Sequence, residues 1–449
     1  MDTLPAELMS IVLDDHDLET NDYIALRAVS KLLHEVATPR AFKVLNVYPK
    51  ENAHTRVLTL AEIPNVSKHV QTVVLCARKD SGKDLESHYY SSRLIVSCSL
   101  DRDRRQQEQR TDKIIEDATS FLLSLAQFAD NMRQQWTDKA IEDTSSIFSH
   151  LVKFTSLQNL QLDFQREFQD SVYEDQPPSA TRKLQIAVFE RMAQCPPLPF
   201  LHTFAIDNLM ATTNDAMISP GLLQLLKDLK HLFIRVTADI ENESAYCEET
   251  FMDFWYEQLP KLLRAPTANL RSLTVISDMH VPILSPAFWS EGFYPQLTHV
   301  HFHQAMFSAE RPFEGAPTGN AKTNLEIFAI NHKSTLRNIK LTNCSLERET
   351  DTDRTWVDVC RTLQDELTHL EAFTLDPLPG PAINDNSEDE VDEEPDDCYL
   401  GYAYLLNEAG YINNFDGAVA GPPPIGLDTQ ALDTLREVLQ QRSVLSKAQ

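Results

Sequence analysis

Glycine is scarce, at 11 of 449 residues. Loops that cradle phosphates rely on glycine for close backbone approach, and the chain contains no Walker loop, GxGxxG, GxSxG or HExxH. Nucleotide-dependent and common hydrolytic chemistries lack their sequence marks. The reading assigns no catalytic residue, no metal ligand and no cofactor, and it expects a protein that is not an enzyme. Cations are also short: 40 Lys and Arg stand against 67 Asp and Glu, a formal charge of -27 and a pI near 4.8. Nucleic-acid affinity rests on cations that neutralise phosphates, and anionic membrane surfaces select the same residues, so neither partner is expected. No apolar run nears the ~20 residues of a membrane span. The beginning, Met1-Asp2-Thr3-Leu4, has neither the basic nor the apolar region of a signal peptide. Seven cysteines (Cys76, Cys98, Cys195, Cys247, Cys344, Cys360 and Cys398) are scattered without a CxxC. That usage fits reduced thiols in cytoplasm or nucleus, not a disulfide frame.

What is present is apolar patterning, with 42% hydrophobic residues. One spacing recurs: apolar, two others, apolar, one other, apolar. It occurs at Phe42-Leu45-Val47, Val70-Val73-Leu75, Leu157-Leu160-Leu162, Leu201-Phe204-Ile206 and Leu229-Leu232-Ile234. It recurs at Leu270-Leu273-Val275, Leu297-Val300-Phe302, Leu336-Ile339-Leu341 and Leu370-Phe373-Leu375. The last two apolar residues of each triplet are two apart, so both point to one face of a strand. This is the L-x-x-L-x-L spacing of leucine-rich repeats, one short strand and a return per unit. The intervals are uneven. The longer ones predict helices over Ile114–Met132, Lys183–Met192, Leu222–Leu229, Phe251–Leu263 and Trp356–Leu367. The longest, from Val70 to Leu157, predicts a hidden unit with a strand at Leu94-Ile95-Val96. Alternating strands and helices with right-handed crossovers give an α/β fold with a parallel sheet.

The first 45 residues differ. Pro5 suits a first helical turn, with Thr3 as a cap, and Leu8, Ile11 and Val12 follow at helical spacing. A second apolar set, Ile24, Leu26, Val29, Leu32, Leu33 and Val36, is broad enough for two short helices bent at Val29-Ser30. Pro39 is expected to end the unit, because proline cannot continue a helix. So small a unit buries little core and leans on a partner or on the domain behind it. The run Leu4-Pro5-x-Glu7-Leu8-x-x-Ile11, then Leu26-Arg27-x-Val29-Ser30-Lys31, resembles the F-box of fungal F-box proteins. The join from Asp14 to Asp22 is about two residues longer than that family uses. The resemblance implies three helices that dock on the Skp-type adaptor of a cullin–RING (SCF-type) ubiquitin ligase. Leu4, Pro5, Leu8, Ile11, Leu26 and Val29 would make the contact. The repeats behind it are similar to those of fungal F-box/leucine-rich-repeat proteins, which implies an irregular leucine-rich-repeat-like solenoid that receives a target protein for ubiquitination. A non-ligase repeat scaffold or adaptor, its first helices only covering the first repeat, is the alternative.

The expected organisation is a helical unit at 1–45, a solenoid at 46–383, an acidic disordered loop at 384–397 and a segment at 398–449 that ends in a capping helix over Thr429–Gln441. The acidic loop carries Ser387 before Glu388-Asp389-Glu390, a pattern that acid-directed kinases favour. In the repeats, residues between the inward pairs would line the concave face. The target-binding candidates are His231, Phe233, Arg235, Thr274, His299, His301, His303 and Lys340. Phe233 is either an exposed anchor or is covered, by a loop or by the aromatic segment Tyr399–Tyr411. His299, His301 and His303 would share a strand face, successive ones about 6.6 Å apart. Zinc holds nitrogen at about 2 Å, so one ion takes at most two of them. A third ligand would come from elsewhere, His231 being conceivable on an adjacent strand, and a metal-dependent enzyme is the least supported reading.

Overall fold

The computed structural model describes residues 6–14, 18–48, 53–77, 137–144, 146–166, 179–237, 249–282, 288–289, 292–309, 321–347, 354–376, 401–406, 410–413 and 425–448. Leu4 and Pro5, the 94–96 stretch, the 114–132 helix and the acidic 384–397 segment lie outside them, as do Cys98, Cys247 and Cys398.

The chain opens with three helices: α1 (Ala6–Asp14), α2 (Thr20–Arg27) and α3 (Lys31–Ala41). The bend between the last two falls where the sequence places it. Ser30 caps α3, its hydroxyl accepting from the Leu33 N–H at 3.2 Å. Pro39 does not end the unit, and sits inside α3. Only one turn remains after it, and Phe42 N–H still donates to the Thr38 carbonyl at 3.2 Å.

The rest is mixed α/β around a single sheet. Strands β1 (Val44–Val47), β2 (Thr72–Ala77), β3 (Asn159–Phe164), β4 (Thr203–Met210), β5 (His231–Thr237), β6 (Ser272–Pro282) and β7 (His299–Phe307) lie side by side in chain order, all parallel. Next to β7 come β8 (Asn338–Thr342) and then β10 (Ala372–Asp376). Each of the nine apolar triplets leads into one of these strands. The register joins their inward residues into two rows, Leu160–Phe204–Leu232–Leu273–Val300–Ile339 and Leu162–Ile206–Ile234–Val275–Phe302–Leu341, all buried. No strand stands between β2 and β3, which pair directly from Thr72↔Asn159 to Ala77↔Phe164. Helices fall where the pattern asks for them, at Ala180–Ala193, Pro220–Leu226, Glu249–Arg264 (with a π-helical turn at Phe254–Gln258) and Trp356–Glu366.

Parallel sheets are usually covered on both faces and read as continuous apolar runs. Here β3 alternates buried and half-buried residues throughout, the mark of one covered face and one open face. A left-handed residue recurs two after the second inward residue, at Asn208 (φ 59) in β4, Gln304 (φ 53) in β7 and Asn343 (φ 53) just after β8. Asn tolerates this region better than most residues. The kink turns the next residues, Leu209, Ala305 and Cys344, back into the core. The buried Asn208 side-chain amide donates to the Phe164 carbonyl at 2.9 Å and the Asn208 backbone carbonyl accepts from Gln185 Nε2 at 2.9 Å, so β3, β4 and the helix behind them are tied together.

Past the kink the sheet continues through β9 (Ser345–Glu347), β11 (Gly401–Leu406) and an antiparallel β12 (Gly410–Asn413). The final helix, Ile425–Ala448, is longer than the sequence suggests. It buries Leu432, Leu435 and Leu439 against the helix Trp356–Glu366 and the edge strand β10. It is clamped to that helix at both ends. Buried Asp428 accepts from Val357 N–H at 3.0 Å and from Tyr402 hydroxyl at 2.6 Å, while Arg442 donates to the carbonyls of Gln364 and Leu367. Asp428 stands in the first turn of its own helix and the Arg442 guanidinium meets the C-terminal carbonyls of Trp356–Glu366, and both placements complement a helix dipole. The helix thus packs over the sheet edge at β10.

Candidate functional site

The first candidate surface is the helical unit. Polar side chains join its helices. Arg40 of α3 reaches α1, donating to Asp14 Oδ1 at 2.8 Å, Ser10 Oγ at 2.7 Å and Ser10 O at 3.1 Å. Tyr23 of α2 donates to the Leu13 carbonyl at 3.1 Å. Arg27 donates to Thr38 Oγ1 at 2.9 Å and lies 4.6 Å over the Phe42 ring. The buried apolar residues are Met9, Leu13, Leu33, Ala37 and Ala41, and α2 buries none. The inward face of α1 is thus Met9–Leu13, and Leu8 and Ile11 point away. Leu8 is 48% exposed, Ile11 62%, Ile24 47% and Val29 70%. Leu26 is half-buried. Leu8, Ile11 and Val29 are therefore available to a partner, and Leu26 only in part. Ile24, an apolar residue of α2 that the resemblance does not carry over, is exposed on the same unit.

The second surface is the open face of the sheet. Residues between the inward rows form one register row, Gln161–Ala205–Phe233–Thr274–His301–Lys340, so Phe233, Thr274, His301 and Lys340 are lateral neighbours as the spacing implies. His231, Ser272, His299 and Asn338 form the row before it, and Arg235, Ile276, His303 and Thr342 the row after. Phe233 is half-buried, with the Arg235 guanidinium 5.7 Å from its ring centroid. Arg235 in turn pairs with Asp207 at 3.0 Å, and Asp207 accepts from Gln161 at 3.3 Å. The described parts of the aromatic segment lie in β11, which pairs with β9, and in β12 beyond it, and β6, β7 and β9 lie between them and β5. Arg235, rather than Tyr402, is what packs on Phe233.

The histidines share the open face but have separate neighbours. His299 Nδ1 is 2.8 Å from Thr298 Oγ1, His301 Nε2 is 3.2 Å from Thr342 Oγ1, and His303 Nδ1 is 2.9 Å from the Ser277 carbonyl. Burial, then Lys340 and His303, hold His301 down at about 4, against a smaller opposing pull from Asp376. His231 is not on an adjacent strand: β6 lies between it and His299. Among the described residues no group of three or more His, Cys, Asp or Glu side chains is placed to hold a metal ion. Burial also raises the Cys195, Cys344 and Cys360 thiols, to about 11, 12 and 12. They are protonated at neutral pH and are poor nucleophiles. No helix among the described residues is long and apolar enough to cross a membrane. No protein-family profile matches the chain, and no curated protein matches its sequence.

Proposed function

We propose that this chain is the substrate-recognition subunit of an SCF-type (cullin–RING) ubiquitin ligase, working in cytoplasm or nucleus. In this reading α1–α3 are an F-box that holds a Skp-type adaptor. The parallel strands form an irregular leucine-rich-repeat-like solenoid whose open, concave face holds the target protein. The observation that carries the reading is the outward placement of Leu8, Ile11, Ile24 and Val29 on a unit whose helices are joined by Arg40, Tyr23 and Arg27. Helices that served only to cover the first strand would turn those side chains inward. Full burial of such a side chain contributes about 1.5–3 kcal/mol, so the four together hold enough apolar surface for a specific contact. The chain order of the strands and the single covered face support the repeat reading. The chain itself performs no chemistry here. Ubiquitin transfer belongs to other subunits, and the receptor contributes proximity.

Capture of a purified Skp-type adaptor by the full chain tests this. The wild type retains the adaptor, and Ile11→Asp/Val29→Asp loses it while keeping the wild-type circular dichroism. A folded wild-type chain that captures no adaptor leaves the repeat-scaffold reading instead.

A further inference from the structure

The open face is not uniform in charge. Each strand begins at a leading edge, where one carbonyl accepts two successive N–H groups of the next strand. Lys230 and His231 donate to the His202 carbonyl at 2.8 and 3.0 Å, Arg271 and Ser272 to Lys230 at 2.7 and 3.1 Å, and Thr298 and His299 to Arg271 at 2.9 and 3.0 Å. This ladder fixes His202, Lys230 and Arg271 side by side, one per strand, about 4.8 Å apart. His231 and His299 stand directly above them. All the turns that lead into β4 to β8 lie within the described residues.

Among the described residues Lys230 and Arg271 lack counter-charges, whereas Arg337, the next cation along this edge, is paired with Glu371. His202 has a buried Nδ1 without a hydrogen bond. After burial, the influences on His231 are Arg271, Lys230, His299 and His202, all of one sign and with no acid among them. The trailing edge is the opposite. Its carboxylates are already matched: Asp207 by Arg235 at 3.0 Å, Asp278 by Arg166 at 3.2 Å and Asp376 by Lys340 at 3.9 Å. On a chain of net charge -27, an unmatched cationic strip is a local reversal of the whole-molecule field.

We propose that the leading edge around His202, Lys230 and Arg271 anchors an acidic, Asp/Glu-rich segment of the target, with Phe233 above it to take an apolar neighbour. The cations are spread over several strands and do not converge on a point, which fits a run of carboxylates better than one phosphate. The surrounding negative charge disfavours a long polyanion but leaves a short acidic segment to the local field. The inference rests on the open face being the target-holding surface.

The test is fluorescence anisotropy of a labelled Glu-Ser repeat peptide with the full chain, against a Gln-Ser control, a Gln-phosphoserine peptide and an RNA oligonucleotide. The Glu-Ser peptide binds in preference to the others and weakens as salt rises. Lys230→Glu/Arg271→Glu weakens it about tenfold or more, Lys68→Glu leaves it unchanged, and both variants still capture the adaptor. Absence of Glu-Ser binding, equal binding by the double variant, or preference for phosphopeptide or RNA overturns the proposal. Adaptor capture is read separately, so loss of the ligase reading is distinguishable from loss of this one.

Discussion

The helical unit and the parallel sheet use the same residue types in different arrangements. In α1–α3 a small apolar core of Met9, Leu13, Leu33, Ala37 and Ala41 is supplemented by polar side chains that join the helices, and Leu8, Ile11, Ile24 and Val29 face out. In the sheet apolar rows are buried and histidine, lysine and arginine line the open face. The sheet is large enough to bury its apolar residues against its own helices, and the unit is too small to do so. Binding at the first surface would be driven by apolar burial and little affected by salt. Binding at the second would depend on charge and weaken with salt.

The largest expected effect sits in the sheet. Phe328 is buried among Phe288, Trp289, Phe302 and His332, and Phe328→Ala is expected to cost about 3–5 kcal/mol in chemical denaturation. Next is Arg354→Leu. It strips the partner from Glu326, whose side chain is fully buried, and a loss of about 3 kcal/mol is expected from the uncompensated charge. A loss below ~1 kcal/mol in either would mean that these contacts do not hold the sheet and its helices together. Ile24→Asp then tests the other region: adaptor capture weakens about tenfold with an unchanged denaturation midpoint, whereas a lower midpoint would make Ile24 structural.

A pH effect follows in size. His332 accepts the Tyr294 N–H at Nε2 (2.9 Å) and so donates from Nδ1 to the Phe328 carbonyl (2.7 Å), a neutral tautomer in a buried site. Burial lowers its pKa from the ordinary 6.5, against a smaller lift from the Phe328 bond. Below that value the unfolded chain takes the proton more readily than the folded one, so the stability contribution is complete above 6.5 and declines as pH falls. His301 acts in the same direction. Denaturation midpoints are expected to fall from pH 6.5 toward 4, less steeply in His332→Gln. An equal slope would remove His332 as the cause. The smallest effect closes the comparison: Val29→Ala shifts stability by no more than about 0.5 kcal/mol, although valine is as apolar as any core residue.

Much of the sheet was legible. All nine triplets lead into strands, and the row that joins Phe233, Thr274, His301 and Lys340 follows from one spacing applied nine times. The failures came where spacing carries no instruction. Pro39 was expected to stop α3, but its cost falls only on the last turn. The 401–406 and 410–413 strands carried no triplet, and they form because β9 leaves an unpaired edge. The final helix was expected over Thr429–Gln441, whereas Asp428, which clamps it, lies just before that span.

The sequence by itself determined which residues are apolar, the interval at which they return and hence which side of each strand they share, because a strand alternates faces every residue. Only the tertiary structure decided which of those apolar residues stay outside. Leu8 and Leu33 are alike in type, but Leu33 faces the interior of a three-helix unit and Leu8 does not. It also decided that Lys230 and Arg271 stand unmatched beside one another while Arg235 and Lys340 are matched, because neighbours across a parallel sheet come from distant parts of the chain.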